Sequence, residues 1–324
     1  MDGVWTIDSM PEMTGKRVII TGASGGLGLE TALGFAAKGA EIVFAVRNME
    51  KGHQAAAGLL GKFPKARVEV ERLDLADLSS IAAFAAEMLR KHDSLDVLVN
   101  NAGVMIPPYR QTKDGFELQF GSNHLGHFAL TGRLLPLLLQ TPGSRVVTLS
   151  SIAAKSGYIY FNNLDGHLGY GAMKFYGQSK LANLLFAREL QKRLSAAGAD
   201  TISVACHPGV SNTNLISRGS GKQAGRAMAM LWGLMSQSAA MGALPTLYAA
   251  TEPKLYGGEY IGPTGKGGRK GYPGFDLSVD HKMNEETMAK LWRVSEELTG
   301  VSYDFQVRPQ ESGGKEERLY GVKL

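Results

Sequence analysis

Short apolar segments alternate with longer helical patterns through the first two thirds of the chain. Apolar runs predict strands, and apolar positions at steps of three and four predict the helices between them. The predicted strands are residues 17–21, 41–46, 68–73, 95–100, 144–150 and 201–206, and the predicted helices are 49–61, 78–91, 117–139 and 174–195, with an earlier one ending near 38. Strands that alternate with helices form parallel sheets covered on both faces, so we expect an α/β fold with a doubly wound parallel sheet.

The regular alternation stops after residue 210. Residues 211–237 are polar and then rich in methionine, and we interpret them as a lid over a substrate. A helix at 239–250 and a strand at 258–262 follow, and the glycines and proline of 265–274 predict a loop. The last predicted helix, 284–299, stops at Gly300 and carries Met288, Leu291, Trp292, Ser295 and Leu298 on one face.

The chain shows no repeat or linker that would divide it. We therefore expect one domain over residues 1–324, with its core at 15–265 and a C-terminal extension at 266–324 whose polar tail, from 308, is flexible. Hydrophobic residues make up 44% of the chain, which is enough for a large core and excludes disorder throughout.

Charge and targeting signals narrow the classes of function. The formal charge of +5 is spread along the chain apart from Lys266, Arg269 and Lys270, so no nucleic-acid surface is expected. That cluster is either a solvated loop or a contact for an acidic substrate. The N-terminus resembles neither a signal peptide nor a membrane anchor, and the single cysteine, Cys206, lies in a buried-strand pattern. These features favour a cytoplasmic protein with no integral membrane segment.

A glycine-rich turn joins the first predicted strand to the first helix. Gly22, Gly26 and Gly28 stand at this junction. The pyrophosphate of a dinucleotide needs backbone amides at a helix N-terminus and no Cβ in the way, and such a turn provides both. The sheet is therefore expected to be of the Rossmann type. Three glycines alone are a weak signal, because other tight turns use glycine as well.

The end of the second strand indicates which dinucleotide binds. A site for NAD would place a carboxylate there to accept from the ribose 2′-hydroxyl, but Arg47 and Asn48 occupy this position. Arg47 is suited to a 2′-phosphate, a contact of roughly 1.5 to 3 kcal/mol. We therefore predict NADP(H) in preference to NAD(H). The alternative is that Arg47 is a solvated loop residue.

Tyr176 and Lys180 lie one helical turn apart. Leu181, Leu184 and Leu190 continue the helical pattern, so the phenol and the ammonium share one face. A tyrosine titrates near 10, and proton transfer at neutral pH needs its pKa lowered by about two to three units, to which a nearby cation contributes. A pair this short also recurs by chance on helix surfaces, so other motifs must support it.

Seven ordered motifs supply that support, and together they resemble the short-chain dehydrogenase/reductase family. They are Thr21 to Gly28, Asp74-Leu75, Asn100 to Gly103, Asn123 to Gly126, Ser150-Ser151, Tyr176 with Lys180, and Pro208-Gly209. The segments beginning at Asn123 and Tyr176 are more particularly similar to the retinol dehydrogenase-like branch of that family.

The resemblance implies a catalytic tetrad. Tyr176 would act as general acid or base, Lys180 would lower its pKa and hold the nicotinamide ribose, and Ser151 would hydrogen-bond the substrate oxygen. Ser151 is preferred to Ser150 because family members use the second position of such a pair. Asn123 would lie at a break in its helix and hold a water on a proton path through Lys180.

The resemblance also implies a set of cofactor-binding positions, which include Tyr176 and Lys180. The others are Gly22, Ser24, Gly25, Gly26, Leu27, Gly28, Arg47, Asn48, Asp74, Leu75, Asn101, Ala102, Gly103, Pro208, Gly209, Val210 and Thr213. Each has an alternative: Asn101, for example, could serve mainly to tie the sheet together. No metal site is predicted.

Two departures from the family concern the substrate. Residues 153–175 form a longer segment before Tyr176 than the family's shortest members have, and its aromatic and leucine side chains are either a substrate rim or loop packing. The family's membrane-bound retinoid enzymes carry an N-terminal anchor that this chain does not show, which argues against retinoids. The methionines at 228, 230, 235 and 241 with Trp232 are either a pocket or a core-packed helix.

These patterns predict an NADP(H)-dependent oxidoreductase that interconverts a hydrophobic ketone or aldehyde and the corresponding alcohol. The alternatives are a non-catalytic NADP(H)-binding sensor or scaffold, and a carbon-carbon double-bond reductase. The family's usual dimer surfaces, helices 117–139 and 174–195, imply a homodimer or homotetramer, although the C-terminal extension could block one contact.

Overall fold

The computed structural model describes residues 4–211 and 236–306. Within these ranges it forms eight strands, β1 (Arg17–Thr21), β2 (Glu41–Val46), β3 (Arg67–Arg72), β4 (Val97–Asn100), β5 (Arg145–Leu149), β6 (Ile202–Cys206), β7 (Tyr260–Pro263) and β8 (Pro273–Phe275). They make one sheet in the order β3-β2-β1-β4-β5-β6-β7-β8. All neighbouring pairs are parallel except β7 and β8.

Helices cover both faces of this sheet. The described residues form α1 (Leu27–Ala37), α2 (Met49–Lys62), α3 (Leu78–Lys91), α4 (Gly126–Leu139), α5 (Ala172–Ala196), α6 (Ala239–Thr251) and α7 (Glu285–Thr299). Side chains of successive strand residues enter opposite layers: Val18 and Ile20 of β1 pack with α1 and α6, and Ile19 packs with α3 and α4. This arrangement confirms the predicted doubly wound α/β fold.

The strand order places a crevice at the centre of the sheet. The order reverses between β1 and β4, so the connections that follow these two strands leave toward opposite faces. In open α/β sheets, ligands bind at the carboxyl ends of the strands at such a reversal. The glycine turn follows β1 and Asn101 follows β4, so both lie at this point.

Several predicted elements required correction. The predicted helix 117–139 contains a π-helical segment, Phe120–Leu125, before α4 begins. The predicted loop 265–274 ends within β8, which pairs antiparallel with β7 and so belongs to the sheet. Pro273 and Gly274 are tolerated there because β8 is an edge strand. The C-terminal extension therefore contributes one strand of the sheet, and the division at residue 265 stays a prediction.

The C-terminal helix α7 covers α4 and α5. Met288, Leu291, Trp292 and Ser295 of the predicted face are buried, and Leu298, near the end of the helix, is 37% exposed. The helix ends at Gly300, whose φ of 64° is the left-handed conformation that glycine adopts readily. The ring of Trp292 packs edge-on against the ring of Phe128 in α4, and the two ring centroids are 5.1 Å apart.

Nothing in the described residues forms a membrane-spanning helix. No helix in the ranges 4–211 and 236–306 has both the length and the apolar character that a bilayer crossing requires. The predicted lid, apart from Ser211, Ser236 and Gln237, and the tail from residue 307 lie outside the described residues.

Candidate active site

A cavity of about 590 Å³ opens at the carboxyl ends of β1 and β4. This volume lies within the range of about 300 to 1,000 Å³ that is usual for small-molecule sites. Of the predicted site residues, the cavity is lined by Gly22, Ser24, Gly25, Gly26, Leu27, Gly28, Arg47, Asn48, Asp74, Leu75, Asn101, Ala102, Gly103, Tyr176, Lys180 and Pro208. The folded chain therefore brings together residues that are up to 186 positions apart in the sequence.

The glycine turn forms the wall beside the N-terminus of α1. Gly26 precedes the helix with φ 61° and ψ −139°, a conformation that is strained for residues with a side chain. A Cβ on Gly28 would lie 2.6 Å from both the Gly22 carbonyl oxygen and Asn101 Nδ2. The turn therefore requires glycine and exposes helix N-terminal amides, a combination that fits the pyrophosphate of a dinucleotide.

A basic group lies at the end of the cavity next to β2. Arg47, Asn48 and Lys51 all line it there. The Asn48 side chain accepts a hydrogen bond from the Lys51 amide at 2.9 Å and so caps α2, which fixes the first turn that carries Lys51. Sequence reasoning identified Arg47 and Asn48 but missed Lys51, although its place in the first turn of the helix after Arg47 was a usable signal.

The segment after β4 forms the opposite wall. The Asn101 side chain donates to the Thr21 carbonyl at 2.6 Å, and the Asn101 and Ala102 amides both donate to the Thr21 hydroxyl at 2.9 Å. Asn101 therefore ties β4 to β1, which was its alternative role, and also lines the cavity. The Asp74 carboxylate accepts a hydrogen bond from the Ala76 amide at 3.0 Å, and this bond shapes the turn after β3.

Tyr176 and Lys180 lie on the inward face of α5, with exposed fractions of 5% and 4%. Lys180 Nζ donates to the Leu149 carbonyl at 3.1 Å, which directs the side chain toward the end of β5. Burial lowers the pKa of Lys180 from 10.5 to about 8. Burial also raises the pKa of Tyr176, against the smaller opposing effect of its hydrogen bond with Ser151. The pKa of Tyr176 is therefore raised and not lowered as we expected from the sequence, and the tyrosine is a neutral phenol at pH 7.

The two adjacent serines have different partners. The Ser150 hydroxyl donates to the Lys180 carbonyl at 2.7 Å and so supports the backbone of α5. The Ser151 side chain bonds Tyr176 and accepts from the Ala153 amide at 3.2 Å, where it caps a short 3₁₀ helix, Ile152–Ser156. Ser150 is among the residues that line the cavity and Ser151 is not, so the choice of Ser151 as the serine beside the reacting oxygen stays a prediction.

Asn123 is fully buried in the π-helical segment. Its side chain accepts from the Val104 amide at 2.8 Å and donates to the Val104 carbonyl at 3.0 Å and the Ser179 hydroxyl at 2.9 Å. The side chain thus joins the segment after β4 to α5. π-Helical turns interrupt regular bonding and recur at functional sites, which agrees with the predicted helix break.

A charged cluster supports the turn after β6. The His207 ring accepts from the Gly209 amide at 3.2 Å and donates from Nε2 to Asp276 Oδ2 at 2.9 Å. Lys155 Nζ lies 3.3 Å from the same carboxylate oxygen. Although burial raises the pKa of Asp276, its bonds with His207 and Ser278 hold that pKa well below the ordinary value. Sequence reasoning missed this cluster because Asp276 is distant in the chain.

The remaining predicted cofactor residues are placed as follows. Val210 donates its amide to the Arg269 carbonyl at 2.8 Å, and Gly209 has a φ of 66°, so their turn is held against the segment before β8. Neither is among the residues that line the cavity. Thr213 lies outside the described residues, as do the methionines at 228, 230 and 235 and Trp232, whereas Met241 packs against the core.

The long segment 153–175 divides into packed and exposed side chains. Phe161 and Leu164 pack against a core cluster that includes Phe120 of the π-helical segment. Tyr158 and Leu168 are 62% and 71% exposed. Phe161 and Leu164 therefore match the loop-packing alternative, whereas Tyr158 and Leu168 are exposed at the surface.

Comparisons with known proteins show which family this chain resembles. A family model described as short chain dehydrogenase matches residues 16–223. Retinol dehydrogenase 12 of Mus musculus is 41% identical over 299 residues, which cover 90% of this chain and 89% of the relative. A solved structure of an uncharacterized protein from Mycobacterium Paratuberculosis is 40% identical, with a TM-score of 0.76 and coverage of 93% of this chain and 100% of that one.

Two further relatives extend the comparison. Retinol dehydrogenase 11 of Homo sapiens is 39% identical over 302 residues, which cover 91% of this chain and 89% of the relative. A short chain dehydrogenase from Escherichia coli CFT073, solved in complex with NADPH, is 21% identical, with a TM-score of 0.60 and coverage of 76% of this chain and 96% of that one. The likeness to the second is one of fold.

Proposed function

The chain belongs to the short-chain dehydrogenase family, and on that premise we propose that it is an NADP(H)-dependent enzyme that interconverts a hydrophobic ketone or aldehyde and the corresponding alcohol. Membership makes it an oxidoreductase that binds a nicotinamide cofactor and acts on alcohol and carbonyl groups. The preference for NADP(H), the hydrophobic substrate and the roles of individual residues are the proposed part.

One observation carries the proposal. Tyr176 and Lys180 line the same cavity as the glycine turn of Gly22 to Gly28, although α5 and α1 lie far apart in the chain. A dinucleotide with its pyrophosphate at the glycine turn would be held by residues of this cavity that reach from α1 to α5. A proton donor thus stands where the nicotinamide end of such a cofactor would react.

The residues of the chain suggest how carbonyl reduction proceeds. A bound NADPH would supply hydride to the carbonyl carbon, and negative charge would develop on the carbonyl oxygen. Ser151 donates a hydrogen bond to that oxygen, and Tyr176 donates the proton that completes the alcohol. The neutral phenol favours this direction, because Tyr176 already carries the proton at pH 7. Lys180 lowers the free energy of the phenolate that remains.

The proposed preference for NADP(H) rests on the basic group beside β2. Arg47 and Lys51 line the cavity, and of the described residues that line it none is glutamate. The one lining aspartate is Asp74, at the end of β3, and not at the end of β2 where a ribose 2′-hydroxyl would meet a carboxylate. Two cations at this place attract a 2′-phosphate, which carries extra negative charge that NAD lacks.

The substrate class is suggested by the relatives. Two of them are named retinol dehydrogenases and share about two fifths of their residues with this chain. A retinoid is therefore a candidate beside other hydrophobic carbonyl compounds. A cytoplasmic location and a homo-oligomeric state stay predictions.

The alternatives make different demands on the site. A cofactor sensor needs the glycine turn but not a buried tyrosine hydrogen-bonded to Ser151. A carbon-carbon double-bond reductase would use similar residues but leave saturated ketones unreduced. The arrangement of Ser151, Tyr176 and Lys180 favours catalysis over the sensor, and the choice of substrate separates the two catalytic alternatives.

A substrate panel tests the proposal. NADPH oxidation is followed at 340 nm with all-trans-retinal, a steroid ketone, 4-nitrobenzaldehyde, nonanal and an aromatic quinone, with NADH as the matched cofactor control. Turnover of at least one carbonyl, with a higher kcat/KM for NADPH, supports the proposal. Tight NADPH binding without any turnover points to the sensor, and turnover only of conjugated alkenes points to the double-bond reductase.

A further inference from the structure

Two buried histidines near Asn123 face different parts of the molecule. His124 Nε2 lies 2.9 Å from the Ser295 hydroxyl of α7, away from the cavity. His127 faces the end of β1: its Nδ1 lies 2.9 Å from the main-chain oxygen of Asn123, and its Nε2 lies 2.9 Å from the Thr21 hydroxyl. His127 therefore lies between the end of β1 and the catalytic asparagine, and the reaction described above gives it no role.

The contacts of His127 define which nitrogen carries its hydrogen. Burial lowers the pKa of His127 to about 4, so the ring is neutral at pH 7 and has one N–H group. The Asn123 carbonyl can only accept a hydrogen bond, so the hydrogen is on Nδ1. Nε2 is then an acceptor, and the Thr21 hydroxyl donates to it.

The Thr21 hydroxyl continues the chain of hydrogen bonds to the cofactor wall, which is the side of the cavity formed by Asn101 and Ala102 after β4. It accepts from the amides of Asn101 and Ala102, each at 2.9 Å. A hydroxyl has one donor and two acceptor sites, and these two amides with His127 use all three. The Val99 carbonyl, at 3.4 Å, is the longer alternative acceptor for the same hydrogen. Without His127, the hydroxyl would turn toward Val99.

We propose that His127 is a positioning residue that links the Asn123 carbonyl, through the Thr21 hydroxyl, to the Asn101 and Ala102 amides of the cofactor wall. The neutral ring of His127 holds Asn123 and the segment that contains Asn101 and Ala102 in a fixed position relative to each other. A charged ring would also repel the nearby Lys180, whose positive charge contributes to the low pKa of His127. The effect on turnover rests on the proposed function, whereas the hydrogen-bond arrangement does not.

The first test uses NMR and needs no activity. Long-range ¹H–¹⁵N spectra of the full chain are recorded from pH 5.5 to 8.5, and His127 is assigned by comparison with His127→Gln. We expect a neutral ring protonated on Nδ1 throughout, and an Nε2 shift in Thr21→Val that reports loss of a hydrogen-bond donor. A ring that titrates near pH 6.5, or a hydrogen on Nε2, overturns the proposal.

The second test compares NADPH affinity by calorimetry in matched variants. His127→Leu and Thr21→Val should each weaken binding about threefold to tenfold, and the double variant should be no weaker than the single ones, because all three break the same link. Thr21→Ser keeps the hydroxyl and should bind as the wild type does. His124→Leu is the control: it should lower Tm but leave NADPH affinity unchanged.

Turnover gives a third measurement. With the panel carbonyl that the wild type reduces fastest, His127→Leu should lower kcat about tenfold and change KM less. Unchanged affinity and kcat in a folded His127→Leu overturn the proposal. If the wild type binds no NADPH, the proposed function fails, and the NMR spectra still decide whether His127 forms the link.

Discussion

The side-chain nitrogen of Lys180 lies 5.9 Å from the centre of the Tyr176 ring, and both side chains are buried on the inward face of α5. The sequence interval of four placed them one turn apart, but their shared contact with the cavity depends on how α5 packs against β5. The first two predictions concern this pair.

Replacement of Tyr176 by phenylalanine should remove turnover and preserve cofactor binding. The variant lacks the hydroxyl that donates the proton and bonds Ser151, but the ring still fills the same space. We expect kcat to fall about a hundredfold to ten-thousandfold, because general acid catalysis contributes about 10² to 10⁴ in rate. Stopped-flow absorbance at 340 nm measures turnover and calorimetry measures NADPH affinity. Retained turnover would refute the proposed mechanism.

Replacement of Lys180 by methionine should stabilise the protein while it abolishes activity. The folded-state pKa of about 8 lies below the ordinary 10.5, so the buried charge destabilises the fold by about 3 kcal/mol at neutral pH. Loss of the bond to Leu149 offsets about 1 kcal/mol. We expect a net gain of about 1 to 2 kcal/mol at pH 7.

The pH dependence checks the sign of this effect. The cost is fully present below pH 8 and disappears as the pH rises from 8 to 10.5, because the unfolded chain binds the extra proton in that window. Urea denaturation of the wild type and Lys180→Met should therefore give a stability difference that shrinks from pH 8 to pH 10.5. A difference that does not change over this window would contradict the assignment.

Arg47 and Lys51 should determine the choice between NADPH and NADH. Loss of one charge-assisted contact to a phosphate costs roughly 1.5 to 3 kcal/mol, which is about tenfold to a hundredfold in affinity. Arg47→Ala and Lys51→Ala should therefore weaken NADPH binding and leave NADH binding almost unchanged. Lys62→Ala, at the other end of α2, is the control of equal charge. If the affinity ratio in both variants equals that of the wild type, the preference has another origin.

Asp276 should stabilise the turn that carries Pro208. Its carboxylate accepts from His207 at 2.9 Å, and Pro208 lines the cavity. Its low pKa means that this stabilisation is present above its ordinary value of 3.8 and is lost as the pH falls below it. Asp276→Asn should lower the free energy of unfolding by about 1 to 3 kcal/mol at pH 7.

The same variant should bind NADPH several times more weakly, because the turn after β6 loses its anchor. Asp280→Asn removes an exposed ion pair with Arg188 and serves as the control, with an expected change below about 1 kcal/mol. The stability difference between wild type and Asp276→Asn should stay constant in urea denaturation above about pH 4 and diminish as the pH falls below 3.8. Equal effects of the two substitutions would show that the buried cluster has no special role.

Trp292 should hold the C-terminal helix over α4 and α5. Its ring packs against Phe128, Phe186 and Tyr303, and the Arg193 guanidinium lies 4.4 Å from the ring centre. Trp292→Ala should cost about 3 to 5 kcal/mol, as large buried residues do. Leu298→Ala, at an exposed position of the same helix, should cost less than about 1 kcal/mol.

This packing also bears on assembly. Because α7 covers α4 and α5, a homodimer or homotetramer would have to use another surface, or α7 would have to leave this one. Size-exclusion chromatography with light scattering should show the same oligomeric state for wild type and Leu298→Ala. A larger assembly in folded Trp292→Ala would indicate that α7 shields a self-associating face.

Much of the fold and of the site was predictable from the sequence. The alternation of apolar runs and helical patterns is a local property, so β1 to β6 and the helices between them were predicted with small errors at their ends. The glycines at 22, 26 and 28 were identified because only glycine fits a turn of such positive φ and such close backbone approach. The spacing of Tyr176 and Lys180 likewise follows from the geometry of a helix.

Tertiary structure decided what depends on distant contacts. β8 is short and rich in residues that avoid strands, and only its pairing with β7 makes it part of the sheet. His127 meets Thr21 across 106 positions, and His207 meets Asp276 across 69. Such partners leave no periodic trace in one sequence, because the hydrogen bonds form only when helices and strands pack together. The sequence by itself therefore determined the fold class and the proposed chemistry of the site, and the packing determined which residues hold that site in place.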